Sequence, residues 1–215
     1  MARPDLLFAM SILSAHTQAP TKLQQRMVKR VVKYIVGTKD WKLTFKSDED
    51  WQLVAWADAS YATRENARSQ SAYCYALGAD NATFYAKSQK QHLVTLSSTE
   101  AEYVALFHAA TEVVYLRRLL EELGFPQQPT IMFQDNQSTI LWGLGQHNHK
   151  RTKHIDVKYH YTQMLLQEGV IELDYLPTEI MRADLQTKPL MNNTFGALAA
   201  MHMGGIFNTE RYKDV

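Results

Sequence analysis

A single cysteine, Cys74, stands in the whole 215-residue chain, so no internal disulfide framework can staple it, and one thiol fits a reducing compartment. An excess of charge of one sign is missing too: 23 Lys and Arg against 22 Asp and Glu leave a formal net charge of +1. A protein that held nucleic acid by electrostatics alone would carry a clear basic excess, so any such partner has to be held by local patches or by metal ions. No apolar run approaches the roughly 20 residues a membrane-spanning helix needs, and the chain reads as soluble, with no membrane partner. Leu6 to Ala15 after Arg3 superficially resembles a secretory signal, but Pro4 and Asp5 break the charged-then-apolar layout. Internal repeats and low-complexity segments are absent. What remains, 46% apolar and 21% charged residues, is ordinary globular composition that permits a folded enzyme.

The periodicities divide the chain. Leu23, Met27, Val31 and Ile35 recur four residues apart, the stripe of an amphipathic helix over 21–36 that Gly37 ends. Trp41 to Lys46 reads as a short strand, and the charged stretch Ser47 to Asp50 places a border near residue 48. Beyond it the pattern predicts three strands in quick succession, Trp51 to Asp58, Gln70 to Gly78 and Thr83 to Lys87, close enough to form an antiparallel meander. At Ser97 the period changes to that of a long helix, with Leu106, Ala109, Val113, Leu116, Leu120 and Leu123 on one stripe. There follow a strand (Thr130 to Gln134), a helix (Asn136 to Leu144), a basic loop, a helix (Val157 to Glu168), a strand (Val170 to Leu176) and a short helix from about Thr178. Three antiparallel strands and then two helix-strand units make an α/β fold: one mixed five-stranded sheet, the last two strands parallel, flanked by helices. Cys74, inside an apolar run, belongs to its core.

Four acidic residues sit where elements begin or end. Asp58 closes the first strand, Asp135 closes the fourth, Glu102 lies in the first turns of the long helix and Asp184 in the last short one. Each alone reads more simply as a cap or turn residue, so the weight rests on the set. Strand alternation makes Asp58 continue the row of Val54 and Trp56, and Asp135 that of Ile131 and Phe133, so both aim at covered space. A carboxylate there is costly unless protonated or bound to a cation. Hard oxygen donors suit Mg²⁺ or Mn²⁺, and two such ions about 4 Å apart can activate a water and stabilise the leaving oxygen of a phosphodiester. Counting back from Leu106 and Ala109 puts Glu102 on the helix stripe that packs against the sheet, where Asp58 and Asp135 also point. Glu100, roughly 200° away, is then expected on the solvent side. The competing reading is that both glutamates merely cap the helix start.

Five blocks, Asp58-Ala59-Ser60-Tyr61, Ser97-Ser98-Thr99-Glu100-Ala101-Glu102-Tyr103, Asp135-Asn136-Gln137-Ser138, Arg151-Thr152-Lys153-His154-Ile155-Asp156 and Ala183-Asp184-Leu185-Gln186-Thr187-Lys188-Pro189-Leu190, resemble in order the signature blocks of copia-type LTR retrotransposon ribonuclease H. The stretch from Arg3-Pro4-Asp5 to Gly37-Thr38-Lys39 resembles the segment joining reverse transcriptase to ribonuclease H in such polyproteins. The resemblance implies a ribonuclease H-like fold and a connection-like segment over 1–48. The nuclease domain is then 49–190, and the tail 191–215 has no assigned role. It also implies cleavage of the RNA strand of an RNA–DNA hybrid by two Mg²⁺ ions, replaceable by Mn²⁺, on the ligands Asp58, Glu102, Asp135 and Asp184. The polymerase of the same polyprotein and a second copy of the chain are the further partners expected, in a cytoplasmic virus-like particle or the nucleus. Cellular ribonucleases H often carry a histidine shortly before the last acidic residue, whereas Pro177 to Arg182 offers none; His154 is a substitute candidate, against substrate contact or plain packing.

Ser60 and Asn136, inside the aspartate blocks, are substrate-binding candidates, as are Arg64 and Arg68 near the first aspartate. Lys87 and Lys90, with His92, make a further basic group. Residues 147–154 hold three histidines but no cysteine, too few ligands to close a zinc site. Lys150, Arg151 and Lys153 there read either as phosphate contacts or as a solvated loop. Tyr159, His160 and Tyr161 read as packing residues at helical spacing rather than base-stacking ones. An enzyme is favoured over a non-catalytic binding or dimerisation module because a module freed from catalysis would be expected to lose one of the four acids. An integrase, which orders its acidic blocks differently, ranks third.

Overall fold

The computed structural model describes residues 2–47, 51–146 and 156–205. Its sheet is mixed, with strand order β3-β2-β1-β4-β5. The strands are β1 (Leu53–Arg64), β2 (Arg68–Leu77), β3 (Tyr85–Lys90), β4 (Thr130–Gln134) and β5 (Ile171–Tyr175). β1, β2 and β3 pair antiparallel, and β4 and β5 run parallel to β1. This is the mixed five-stranded sheet expected from the spacing, arranged as the ribonuclease H-like fold that the resemblance implied. Several expected bounds shift: β1 starts at Leu53 and runs on past Asp58 to Arg64 with an irregular register after Ser60, β2 starts at Arg68, and β3 runs from Tyr85 to Lys90 rather than from Thr83 to Lys87.

Helices α1 (Leu7–Ser14), α2 (Lys22–Gly37), α3 (Ser98–Glu122), α4 (Gln137–Gly143), α5 (Asp156–Gln167) and α6 (Asn192–His202) surround the sheet. The short helix expected near Thr178 resolves into two 3-10 turns, Thr178–Ile180 and Arg182–Gln186. Each strand feeds two cores because its side chains alternate. Leu53, Ala55 and Ala57 of β1 pack with Tyr73 and Tyr75 of β2 against Tyr103, Leu106, Ala109 and Val113 of α3. Val54 and Trp56 pack on the other face with Cys74, Ala76 and Ala86, under Met181, Ala183 and Leu7. Cys74 is fully buried, and burial pushes its thiol up to about 12, so it is a core residue as expected. Tyr159 and Tyr161 pack against the first core, and His160 is exposed.

The expected strand Trp41 to Lys46 is not one. The Thr44 N–H donates to Met203 O at 2.9 Å and Thr44 O accepts from Ala82 N–H at 3.3 Å. This segment is therefore clamped through Thr44 between the end of α6 and the turn after β2. Gly204 makes the clamp possible: its φ is +80° and a Cβ there would lie 2.1 Å from Thr44 O. Gly204→Ala is accordingly expected to cost about 2 kcal/mol or more, from backbone strain and overpacking together, read as a fall in thermal midpoint. An unshifted midpoint would remove the clamp from the account.

Candidate metal centre

Asp58 and Asp135 meet because β1 and β4 are parallel neighbours. Trp56 pairs with Phe133, and each aspartate lies two residues further on, on the same face. Asp184 comes to them from the 3-10 turn Arg182–Gln186, which covers that face. Carboxylate oxygens of Asp58, Asp135 and Asp184 all lie within 4.8 Å of one another.

Glu102 arrives from the opposite side, which corrects the expected geometry. The stripe of α3 packs on Ala55 and Ala57, not on the face that carries Asp58 and Asp135. Small side chains let the helix start come close, since Ala59 contacts only Ala101 and Ala105 in its buried cluster. Glu102 Oε2 can then reach between β1 and β4, just past the end of their pairing, to accept from Ala59 N–H at 2.8 Å and from Gln134 Nε2 at 3.3 Å. Glu100 is also corrected: it is 2% exposed rather than on the solvent side, and its carboxylate accepts from Leu96 N–H while its own N–H donates to Ser97 Oγ at 3.2 Å. It fastens the entry to α3.

The electrostatics follow from crowding acids in a covered place. Burial, then the charges of Asp58 and Asp135, hold the Glu102 carboxyl well above its usual range. Burial and Asp58 raise Asp135, and burial followed by the charge of Asp58 pushes Asp184 up to about 8. Lys188, one helical turn beyond Asp184, places its Nζ 2.8 Å from Asp184 Oδ1. Burial opposes its charge, but Asp58, Asp184 and Asp135 outweigh this and raise it. Thr178 Oγ1 donates to Asp135 Oδ2 at 2.7 Å, and Thr187 Oγ1 donates to Asp58 Oδ2. Lys188, Thr178 and Thr187 were given no role from sequence. Only the i, i+4 spacing of Asp184 and Lys188 held a signal.

The turn that carries Asp184 is itself fixed by a buried arginine. Arg182 donates to Asn81 O at 2.8 Å and to Ala79 O, and its guanidinium lies 4.4 Å from the Trp56 ring centre. The acidic set suits a hard divalent cation, since its oxygens converge and their repulsion is relieved by positive charge.

The other candidates are scattered. Asn136 caps α4 through Thr139 N–H at 3.2 Å, and half-buried Ser60 lies beyond Asp58 on β1. Lys90 is exposed and shares a rung with Ser60 through Gln70, on the face of Asp58. Arg64 turns inward to Ser11 O at 3.2 Å, and Arg68 reaches Gln91 O at 3.4 Å. Lys87 lies on the α3 face, 3.8 Å from Glu112, and is not brought to the carboxylates. Lys150, Arg151, Lys153 and His154 lie outside the described residues.

No family model matches the chain. Over 194 residues, 90% of its length, it is 32% identical to the retrovirus-related Pol polyprotein from transposon TNT 1-94 of Nicotiana tabacum, of which it spans 14%. It is 30% identical over 200 residues, 92% of the chain and 14% of the relative, to the corresponding polyprotein from transposon RE1 of Arabidopsis thaliana. A shorter match, 37% over 117 residues, joins 54% of the chain to 81% of secreted RxLR effector protein 161 of Plasmopara viticola. Among solved structures, LC11-RNase H1 isolated from compost superposes with a TM-score of 0.50 at 14% identity, covering 64% of this chain and 93% of that one. That likeness concerns the fold alone. With nine-tenths of its length aligned to transposon polyproteins, the chain belongs to the copia-type retrotransposon Pol family, as a segment with a ribonuclease H-like fold.

Proposed function

We propose that the chain is the ribonuclease H of a copia-type polyprotein, cutting the RNA strand of an RNA–DNA hybrid during reverse transcription. The observation that carries this is the convergence of Asp58, Asp135 and Asp184 oxygens within 4.8 Å, with Glu102 at their edge. Asp58, Glu102, Asp135 and Asp184 would hold two Mg²⁺ ions, or Mn²⁺, which when bound supply an activated water and charge stabilisation for the leaving oxygen. The chain's own work is positioning. Thr178 and Thr187 hold the two strand-end aspartates, the Arg182 clamp holds the turn of Asp184, and Lys188 offsets the negative charge before any cation is bound. The polymerase of the same polyprotein is the proposed neighbour, in a cytoplasmic particle, and 1–48 the proposed connection-like segment.

The test is incubation with labelled RNA–DNA hybrid and with duplex DNA of the same sequence, in Mg²⁺, in Mn²⁺ and in excess EDTA. The expected result is cutting of the RNA strand only, in either metal and not in EDTA. Undiminished cutting in EDTA sinks the metal mechanism, and equal cutting of plain DNA sinks the hybrid preference, which rests on 2′-hydroxyl and groove-shape contacts. No cutting in any condition would leave the binding-module reading.

A further inference from the structure

The near-neutral total hides a division. Residues 1–47 hold 9 of the 23 basic side chains and 2 of the 22 acidic ones, while the other 168 residues hold 14 and 20, a net charge of −6. The part with the acidic site therefore repels a polyanion, and the attraction is concentrated in the segment before it. Such asymmetry along a chain points to nucleic acid.

Helix α2 organises that charge. Thr21 and Gln24 start it firmly as a capping box, with Thr21 Oγ1 accepting from Leu23 N–H at 3.2 Å and Gln24 Oε1 accepting from Thr21 N–H at 3.0 Å. At about 100° per residue, the half-buried Gln24, Met27, Val31 and Tyr34 fall on one line. This line faces the fold: Tyr34 donates to Asp5 Oδ2 at 2.7 Å and its ring meets Trp41 and Phe195 edge-on at 6.1 and 5.6 Å. Lys22, Arg26, Lys29, Arg30 and Lys33 occupy the opposite arc, and all five are exposed. No acidic residue lies in the helix, and among the described residues none of the five is ion-paired. A solvated helix face ordinarily interleaves both signs; this one is cationic along about 16 Å of axis, over which duplex nucleic acid presents about ten phosphate charges.

We infer that the outer face of α2 is a docking ridge for the phosphate backbone of nucleic acid, supplying a net attraction that the rest of the chain, with its excess of acidic side chains, does not. The inference deepens the nuclease reading, which chooses the probe. A lipid surface is the alternative occupant, since Val28, Val32 and Val36 flank the stripe and are exposed. The charge division beside a phosphodiester-type site favours nucleic acid.

The experiment measures binding of the full chain to a fluorescein-labelled RNA–DNA hybrid by anisotropy in EDTA, across a range of KCl, so cleavage plays no part. The variants are Lys22→Gln/Arg26→Gln/Lys29→Gln/Lys33→Gln and the charge-preserving Lys22→Arg/Lys29→Arg/Lys33→Arg. Removing four phosphate contacts should lower the slope of log affinity against log salt by about 3 to 4 and weaken binding about tenfold or more, while the charge-preserving variant keeps the wild-type slope. Should the quadruple variant fail to fold by circular dichroism, the two double variants (22 with 26, and 29 with 33) should each lower the slope by about 2. An unchanged slope, or no hybrid binding by the wild type, overturns the inference; an unchanged slope with lost binding to phosphatidylserine vesicles assigns the ridge to lipid instead. A lowered slope from a protein that cuts nothing would keep the ridge and remove the nuclease.

Discussion

Glu102→Gln is expected to abolish metal-dependent cleavage of hybrid, whereas Glu100→Gln, two residues away on the same helix and equally buried, keeps most of it. Burial does not separate the two glutamates; what each carboxylate touches does. Glu102 lies among the raised acids, with Asp58 and Asp135 both lifting it. Losing a ligand charge there forfeits several kcal/mol of transition-state stabilisation, about 10³-fold in rate. The fold should survive, because the Gln oxygen can still accept from Ala59 N–H and no volume is emptied. Relief of repulsion should even raise the thermal midpoint of the metal-free protein, by the equivalent of about 1 kcal/mol. Glu100 serves the helix start through Leu96 N–H, a bond that a Gln oxygen keeps, so its neutral variant should lose only about 1 kcal/mol of helix-terminus electrostatics. Cleavage rates and midpoints in EDTA of the two purified variants decide it. Comparable activity would remove Glu102 from the ligand set.

The second large effect concerns acid stability and lies away from the site. His202 is fully buried, with Nε2 2.9 Å from Arg182 O and Nδ1 2.8 Å from Thr83 Oγ1. A carbonyl only accepts, so Nε2 carries a hydrogen. Burial, then the nearby charge of Arg182, push the ring down to about 3, which leaves it neutral, with Nδ1 as the acceptor for the threonine hydroxyl. The unfolded chain binds that proton near the ordinary value of about 6.5, the native one only near 3, so this contribution is intact above 6.5 and lost as pH falls toward 3. From pH 6.5 to 4.5 the loss is about 2 to 3 kcal/mol, at about 1.4 per unit. The raised Glu102, Asp135 and Asp184 act in the opposite sense, since they take up protons in the native state first. The measurement is therefore a difference. In EDTA, the stability advantage of wild type over His202→Gln, from urea unfolding, should shrink by that amount across this window. A constant difference would show that His202 does not titrate as placed.

The meander, the long α3 and the parallel β4 and β5 were legible because apolar periodicity records which side of an element is covered. Asp58 and Asp135 were legible for the same reason, each continuing a row of apolar neighbours off a strand end. Period alone misled at Trp41 to Lys46, where the alternating pattern of a strand is present but Met203 O and Ala82 N–H take the backbone groups of Thr44. It misled again at Glu100, which a helical wheel turns to solvent. Its carboxylate turns back to the Leu96 N–H, a contact that the wheel does not represent.

By itself, then, the sequence determined the order and type of the elements, the two-faced sheet and the four acids at element ends, because those depend on local periodicity and on residues a few places apart. Tertiary structure decided the rest. Glu102 reaches the aspartates from the other side of the sheet because Ala59, Ala101 and Ala105 are small enough to let α3 approach. Asp184 is held because Arg182 binds carbonyls about a hundred residues earlier in the chain, and His202 stays neutral because Thr83 and Arg182 enclose it. These contacts join groups that only folding makes neighbours, and the long-range burial and charge that set their protonation leave no periodic trace in the residues themselves.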